Sequence, residues 1–198
     1  MKKIPTLFER IYENHKVVGI TPNITEGCEE AFLNGIPTVK WDGSCTAIID
    51  GEFYKRYDAK KGKKPPEGAI PCQDEPDPIT GHFPHWVKVD RNNPADKWFV
   101  VAYDNTPEWN IDMRGGTHTY EAIGEHFQGN PYKLNYDTLI PHGVNELNVG
   151  RNFDAVRTFL NAHEIEGIVF WYNGNPVCKI KRTDFGFAWP PIDTPTDT

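Results

Sequence analysis

The chain has 198 residues, of which 25% are charged and 13% aromatic, and its formal net charge is −7. This length allows one domain with a sizeable core or two small ones. The composition excludes a wholly disordered chain, and no apolar run is long enough to cross a membrane. The negative charge argues against a protein that coats nucleic acid electrostatically, but it leaves room for an enzyme with a local basic groove.

The four cysteines, at positions 28, 45, 72 and 178, include no C-x-x-C pair. Their spacing is typical neither of a disulfide framework nor of a structural zinc site. The first residues, MKKIPTLFERIYENH, lack the apolar segment of a signal peptide. We therefore expect a cytoplasmic protein with reduced thiols and no membrane association.

Short elements are predicted in the first half of the chain. The apolar spacing at 6–13 predicts a helix. Strands are predicted at 16–20, 37–41, 46–50 and 52–57. An Asp50-Gly51 turn joins the last two strands. Residues 65–84 hold six of the 17 prolines and are predicted to form a long loop.

The second half combines strands with one clear helix. The spacing of apolar residues at 151–163 predicts an amphipathic helix. Strands are predicted at 86–89, 97–103, 117–123, 167–172 and 176–180, with a polar stretch from 124 to 143. Many antiparallel strands with few helices indicate an α+β fold. We expect a single domain over residues 1–189 and a flexible tail at 190–198.

Charged residues near the predicted strand ends are the candidates for chemistry. Lys40 opens a K-x-D-G sequence with Asp42 and Gly43, which suits either an ordinary turn or a nucleophilic lysine. Lys179 and Lys181 share one face of a strand, because side chains two residues apart point the same way. Two ammonium groups side by side are destabilising without an anion between them, and phosphate meets that requirement.

The chain resembles the covalent nucleotidyltransferases. Their motifs I, III, IV and V correspond in order to Lys40, Glu121, Glu166 and the Lys179/Lys181 pair. This superfamily includes ATP-dependent DNA and RNA ligases and mRNA capping enzymes. The separations of 81, 45 and 13 residues fit that pattern. The blocks at 77–82, 120–132 and 140–143 are similar to the 5′-to-3′ RNA ligase family of vertebrates and some viruses. Only 17 residues follow Lys181, so we expect no OB domain after this last motif.

The resemblance implies an RNA ligase that uses ATP and Mg²⁺ or Mn²⁺. Lys40 would form a lysyl-AMP intermediate, and the adenylate would pass to a 5′-phosphate that a 3′-hydroxyl then attacks. The implied nucleotide-binding residues are Lys40, Asp42, Gly43, Arg56, Glu121, Phe127, Glu166, Lys179 and Lys181. Of these residues, Lys40, Lys179 and Lys181 would be catalytic and Glu166 would hold the metal. The residue that stacks on adenine would be Phe127, Leu139 or His142. The implied RNA-binding residues are Lys55, Arg56, Lys60 and Lys61.

Two alternatives remain open from the sequence. A minimal DNA ligase would use the same covalent chemistry, although DNA ligases usually carry an arginine shortly after K-x-D-G, where this chain has Ser44 and Cys45. A non-catalytic nucleic-acid-binding relic of such an enzyme is the second alternative. We expect a monomer in the cytoplasm, or in the host cytoplasm if the chain is viral.

Overall fold

The computed structural model describes residues 1–191, so nearly all of the predicted tail at 190–198 lies outside the described residues. The described strands are β1 Phe8–Glu13, β2 Lys16–Ile24, β3 Ile36–Lys40, β4 Ser44–Ile49, β5 Glu52–Ala59, β6 Ile70–Pro71, β7 Phe83–Lys88, β8 Thr117–Gly124, β9 Asp137–Pro141, β10 Gly167–Tyr172 and β11 Asn175–Lys181. The α-helices are α1 Glu29–Asn34, α2 Lys97–Asn105 and α3 Phe153–Ala162. Short 3-10 helices lie at Pro94–Asp96, Glu108–Asn110 and Arg182–Phe185.

The chain forms two compact units, each built around its own core. The large-sheet unit comprises residues 1–3 and 42–142, and the small-sheet unit comprises residues 4–41 and those from 143 onward. The expectation of one domain over residues 1–189 stays a prediction, because two units with separate cores can belong to a single domain.

The small-sheet unit contains an antiparallel sheet in the order β11-β10-β3 and a separate β1-β2 hairpin. One face of the three-stranded sheet is apolar and fully buried, and it carries Ile168, Phe170, Cys178 and Ile180. This face packs with side chains of α1 and α3 into one hydrophobic core. Because strand side chains alternate between faces, the neighbouring residues of β10 and β11 point to the opposite side.

The large-sheet unit contains an antiparallel sheet in the order β6-β7-β5-β4-β8-β9. Helix α2 covers one face of this sheet and contributes Ala102 to a core with residues of β4, β8 and β9. The Phe99 ring of α2 packs against Phe127 at a centroid distance of 5.3 Å. The opposite face of this sheet carries polar residues that are described in the next section.

The helix predicted at 6–13 is wrong, because these residues enter β1. A two-residue turn at Asn14 and His15, with φ angles of 48° and 62°, joins β1 to β2. Positive φ at both positions gives the turn twist that matches antiparallel strands. Pairing with β2 therefore outweighs the helical spacing of the apolar residues.

The strand predicted at 97–103 is also wrong, because α2 occupies this segment. Its Val, Trp and Phe content favours a strand, yet the Asn93 side chain accepts a hydrogen bond from the Ala95 amide at 3.0 Å and Pro94 follows directly. An Asn cap before a proline is a helix-start signal, and it precedes α2 here.

The remaining predicted strands and the amphipathic helix are confirmed within a few residues, as is the α+β class. Helix α1 and strand β9 were not predicted, because the first is only six residues long and the second lies in a stretch that reads as polar. All four cysteines carry free thiols. None of the helices among residues 1–191 has the length and apolar character needed to cross a membrane.

Candidate functional site

Three lysines lie on one face of the three-stranded sheet. Lys40 of β3 and Lys181 of β11 both pair with Gly167 on the central strand. Lys179 pairs with Val169, one step further along the same face. Since Gly167 has no side chain, nothing projects from the central strand between Lys40 and Lys181. The sheet register therefore places the three lysines that the resemblance implies to be catalytic on one face of the same sheet.

Glu166 supplies the negative charge of this lysine face. The Lys40 ammonium donates to Oε2 of Glu166 at 2.5 Å, and Glu166 as a whole is only 9% exposed. The Glu166 backbone carbonyl accepts from the Arg182 amide at 2.9 Å, which fixes the residue at the start of β10. A nearly buried carboxylate in contact with an ammonium forms a strong, charge-assisted hydrogen bond.

Lys179 is held in the sheet on both sides. Its amide and carbonyl bond to Pro5 and Leu7, and β10 pairs with its other side. The pKa of Lys179 is lowered from 10.5 to about 8, mainly by burial and also by the charges of Lys40, Lys181 and Arg10, while Glu166 acts in the opposite direction. The lysine face therefore has an excess of positive charge that an anion would relieve.

Arg10 is a cation of this face that the sequence analysis missed. Its Nη2 lies 3.4 Å from Oδ1 of Asp184, and its buried Nε has no hydrogen-bond partner among residues 1–191. The mistaken helix at 6–13 concealed its position, because only the β1 strand brings Arg10 toward Lys179. Alternation along a correctly assigned strand was the signal that could have identified it.

The lowered pKa of Lys179 predicts a specific pH dependence of stability. Between about pH 8 and 10.5 the folded chain has released a proton that the unfolded chain still holds, so the free energy of unfolding should rise with pH there. We expect the difference in free energy of unfolding between the wild-type chain and Lys179→Met to rise by at most about 1.4 kcal/mol per pH unit in this range. Below this range the difference should not change with pH. Urea unfolding of both proteins from pH 7 to 10 measures this difference. A constant or falling difference above pH 8 would contradict the lowered pKa.

Glu121 organises the polar face of the large sheet. Its Oε1 accepts from the Gly43 amide at 3.1 Å, and its Oε2 lies 2.9 Å from Nε2 of His142. The His142 Nδ1 lies 3.0 Å from Oγ1 of Thr119, so the imidazole is held at both nitrogens. Asp42, which precedes Gly43 in the sequence, donates its amide hydrogen to the Tyr132 hydroxyl at 2.5 Å. The Asp42-Gly43 turn of the K-x-D-G sequence is thus fixed by two side chains of its own unit.

Arg56 lies on the same polar face of the sheet as Glu121. Its guanidinium pairs with Asp58 at 3.1 Å, two residues along β5, and most of its side chain is buried. The Arg56 charge also acts on Cys45 of the neighbouring strand β4. Arg56 therefore has Asp58 as its partner, and its predicted contact with the phosphate of AMP or of the RNA end stays a prediction.

Two predicted binding residues are corrected by their positions in the large-sheet unit. Lys55, one residue before Arg56, points to the opposite face and forms an ion pair with the buried Asp96 carboxylate. This ammonium neutralises a core charge, so the structure gives Lys55 a partner within the protein that the sequence analysis did not predict. Phe127 is 4% exposed and packs in the core, so its ring presents no open face for adenine.

The other predicted positions differ in exposure. Leu139, the second candidate for adenine stacking, is fully buried in the same core as Phe127. His142, the third, is committed to Glu121 and Thr119 as described above. Lys60 and Lys61 follow the end of β5 and are exposed, as a contact to an RNA backbone requires.

Comparison with known proteins identifies relatives over nearly the whole chain, although no family model matches it. RNA ligase 1 of Rattus norvegicus is 30% identical, over 94% of this chain and 78% of the relative. RNA ligase 1 of Pongo abelii is 26% identical over the same shares of both chains. RNA ligase 1 of Danio rerio is 31% identical over 65% of this chain and 47% of its own. The similarity includes the sheet that carries the lysines, and on this evidence the chain belongs to the RNA ligase 1 family.

Proposed function

We propose that the protein is an ATP-dependent RNA ligase with the fold of a covalent nucleotidyltransferase. It joins a 5′-phosphate to a 3′-hydroxyl through a lysyl-AMP intermediate. The observation that carries the proposal is the lysine face, on which Lys40 contacts Glu166 beside Lys179 and Lys181. An array of cations around one candidate nucleophile suits a reaction at a phosphate group, where positioning and charge neutralisation supply most of the catalysis.

In the first step, Nζ of Lys40 attacks the α-phosphorus of ATP. A nitrogen–phosphorus bond forms, the bond from the α-phosphorus to the bridging oxygen breaks, and pyrophosphate leaves. Lys40 has to lose a proton before it attacks, and Oε2 of Glu166 lies in hydrogen-bonding position to accept it. Lys179 and Lys181 neutralise the charge that develops on the phosphate oxygens.

Two further transfers complete the reaction. A 5′-phosphate oxygen of RNA attacks the adenylate, the nitrogen–phosphorus bond breaks, and Lys40 is regenerated. The RNA 3′-hydroxyl then attacks the activated 5′-phosphate, a phosphodiester bond forms, and AMP leaves. Both are phosphoryl-group transfers that the same cations can assist.

The donor set at Glu166 fits Mg²⁺ or Mn²⁺. Its carboxylate is a hard oxygen ligand, and Mg²⁺ commonly binds through one or two carboxylates while it keeps several waters and contacts substrate phosphates. When bound, the ion would neutralise phosphate charge. Glu166 would then hold the metal in addition to its contact with Lys40.

Residues of the large-sheet unit have roles in the proposal that follow from their chemistry. The Glu121 carboxylate offers about four acceptor sites, and its two described hydrogen bonds leave capacity for ribose hydroxyls. Arg56 carries the planar donor group suited to the phosphate of AMP or of the RNA end. Lys60 and Lys61 are the candidates for contacts to the RNA backbone.

Incubation with α-labelled ATP and Mg²⁺ tests the proposal directly. We expect label that stays on the denatured protein, that added pyrophosphate removes, and that GTP does not replace. The labelled protein should then join 5′-phosphorylated RNA to a 3′-hydroxyl end. Matched DNA substrates separate an RNA ligase from a minimal DNA ligase, and the absence of label on a folded protein would favour the non-catalytic relic.

A further inference from the structure

We propose that Cys45, Glu121 and His142 form a binding site for a divalent transition-metal ion of the zinc class. One ligand atom from each residue lies within 4.8 Å of the others, and this is the one such group of three among residues 1–191. All three residues belong to the large-sheet unit. The proposal concerns metal binding alone and does not depend on the ligase activity.

The sheet register brings the three ligands together. Cys45 of β4 pairs directly with Glu121 of β8, so their side chains leave the same face side by side. His142 follows β9, which pairs with the other edge of β8, and its Nε2 already lies 2.9 Å from Oε2 of Glu121. Three neighbouring strands therefore bring the ligand residues together, although these residues are far apart in the sequence.

The groups around the ligands resemble the supporting shell of a metal centre. Metal-binding histidines usually hold their second ring nitrogen in a hydrogen bond, and here Nδ1 of His142 lies 3.0 Å from Oγ1 of Thr119. The Gly43 amide binds Oε1 of Glu121, so Oε2, which contacts Nε2 of His142, is the oxygen that would bind an ion in place of that contact. The ring and the carboxylate are thus oriented before any metal binds.

The ligand types select the metal class. Thiolate, imidazole and one carboxylate suit Zn²⁺ and its spectroscopic substitute Co²⁺, whereas Mg²⁺ requires oxygen ligands. In a tetrahedral zinc site, ligand atoms lie about 3.4–3.6 Å apart. Nε2 and Oε2 must therefore separate by about 0.5 Å, and Sγ lies within 4.8 Å of both. Such changes are within the reach of side-chain rotations. Three protein ligands leave the fourth position open.

Proton balance gives the site a measurable signature. Metal ions bind cysteine as the thiolate, so an ion that binds Sγ of Cys45 displaces the thiol proton. With a neutral imidazole, the ring proton moves from Nε2 to Nδ1, where Thr119 can accept its hydrogen bond. We expect one proton released for each ion bound.

Titration with Co²⁺, followed by its absorption spectrum, tests the site in the full chain. We expect one equivalent to bind with a sulfur-to-cobalt charge-transfer band, one proton to be released, and Zn²⁺ to remove the band. Cys45→Ser should abolish the band and weaken Zn²⁺ binding more than about 100-fold. Cys72→Ser is the matched control and should retain both.

A second variant separates metal binding from the integrity of the fold. His142→Gln keeps an amide donor where Nε2 stood but supplies no imidazole ligand, so it should lose the metal and keep the unfolding transition. The proposal is overturned if the wild-type chain shows no charge-transfer band, or if the band survives in Cys45→Ser. Because no nucleotide or RNA is present, failure here leaves the test of ligase activity independent.

Discussion

Lys40→Arg is expected to abolish covalent labelling by ATP. A guanidinium preserves the positive charge and the reach of the side chain, so it can keep an ion pair with Glu166, which now lies 2.5 Å from the Lys40 ammonium. It stays protonated throughout the physiological range and cannot act as a nucleophile. The measurement is the amount of label on the denatured protein after incubation with α-labelled ATP.

The control for this substitution is Lys16→Arg, at an exposed position of β2. Both variants should unfold within about 1 kcal/mol of the wild-type chain, because neither change creates a cavity or an unpaired buried charge. Lys16→Arg should retain full labelling. Label that persists at wild-type level in Lys40→Arg would show that another residue is the nucleophile.

Lys181→Met is expected to reduce the rate of self-labelling by about 100- to 1,000-fold at saturating ATP. The ammonium of Lys181 projects from the same face as Lys40, with Gly167 between their strands, so it can stabilise charge on the reacting phosphate. Methionine preserves the unbranched apolar stem of the side chain and removes the ammonium group. Single-turnover kinetics with labelled ATP measure the chemical step separately from binding.

Lys16→Met provides the matched change of lysine to methionine on the exposed surface. It should label at the wild-type rate. If Lys181→Met instead changes only the ATP concentration required for half-maximal labelling, Lys181 binds the ground state and the transition state equally. That result would contradict its proposed role in the chemical step.

The sequence was sufficient to predict the strands that carry the three candidate catalytic lysines. The alternation of apolar and charged residues around Lys179 and Lys181 predicts that both point away from the core, and the structure buries Cys178 and Ile180 on the other side. The K-x-D-G sequence located Lys40 at the end of a strand, where β3 ends. Period-two patterning is local, so it can be read without knowledge of the partner strands.

Other residues could not be placed because their roles depend on contacts across the sheet. Lys55 and Arg56 are adjacent cations, yet Lys55 pairs with the buried Asp96 and Arg56 faces the opposite side. Phe127 follows a distinctive sequence block, but its packing against α2 makes it a core residue. The sequence around Lys55 does not identify its buried partner Asp96, and the sequence around Phe127 does not identify the helix α2 that covers it.

The sequence by itself determined the α+β class, the order of the candidate site residues and the resemblance that the relatives then supported. The tertiary structure decided which charges meet. Gly167 illustrates the difference: a Cβ there would lie 2.2 Å from the Ile180 carbonyl oxygen, a constraint that exists only once β10 and β11 are paired. Local patterns fix which way a side chain points, whereas strand register between segments far apart in the sequence fixes what it contacts. The contacts of Arg10, Cys45 and His142 depend on that register.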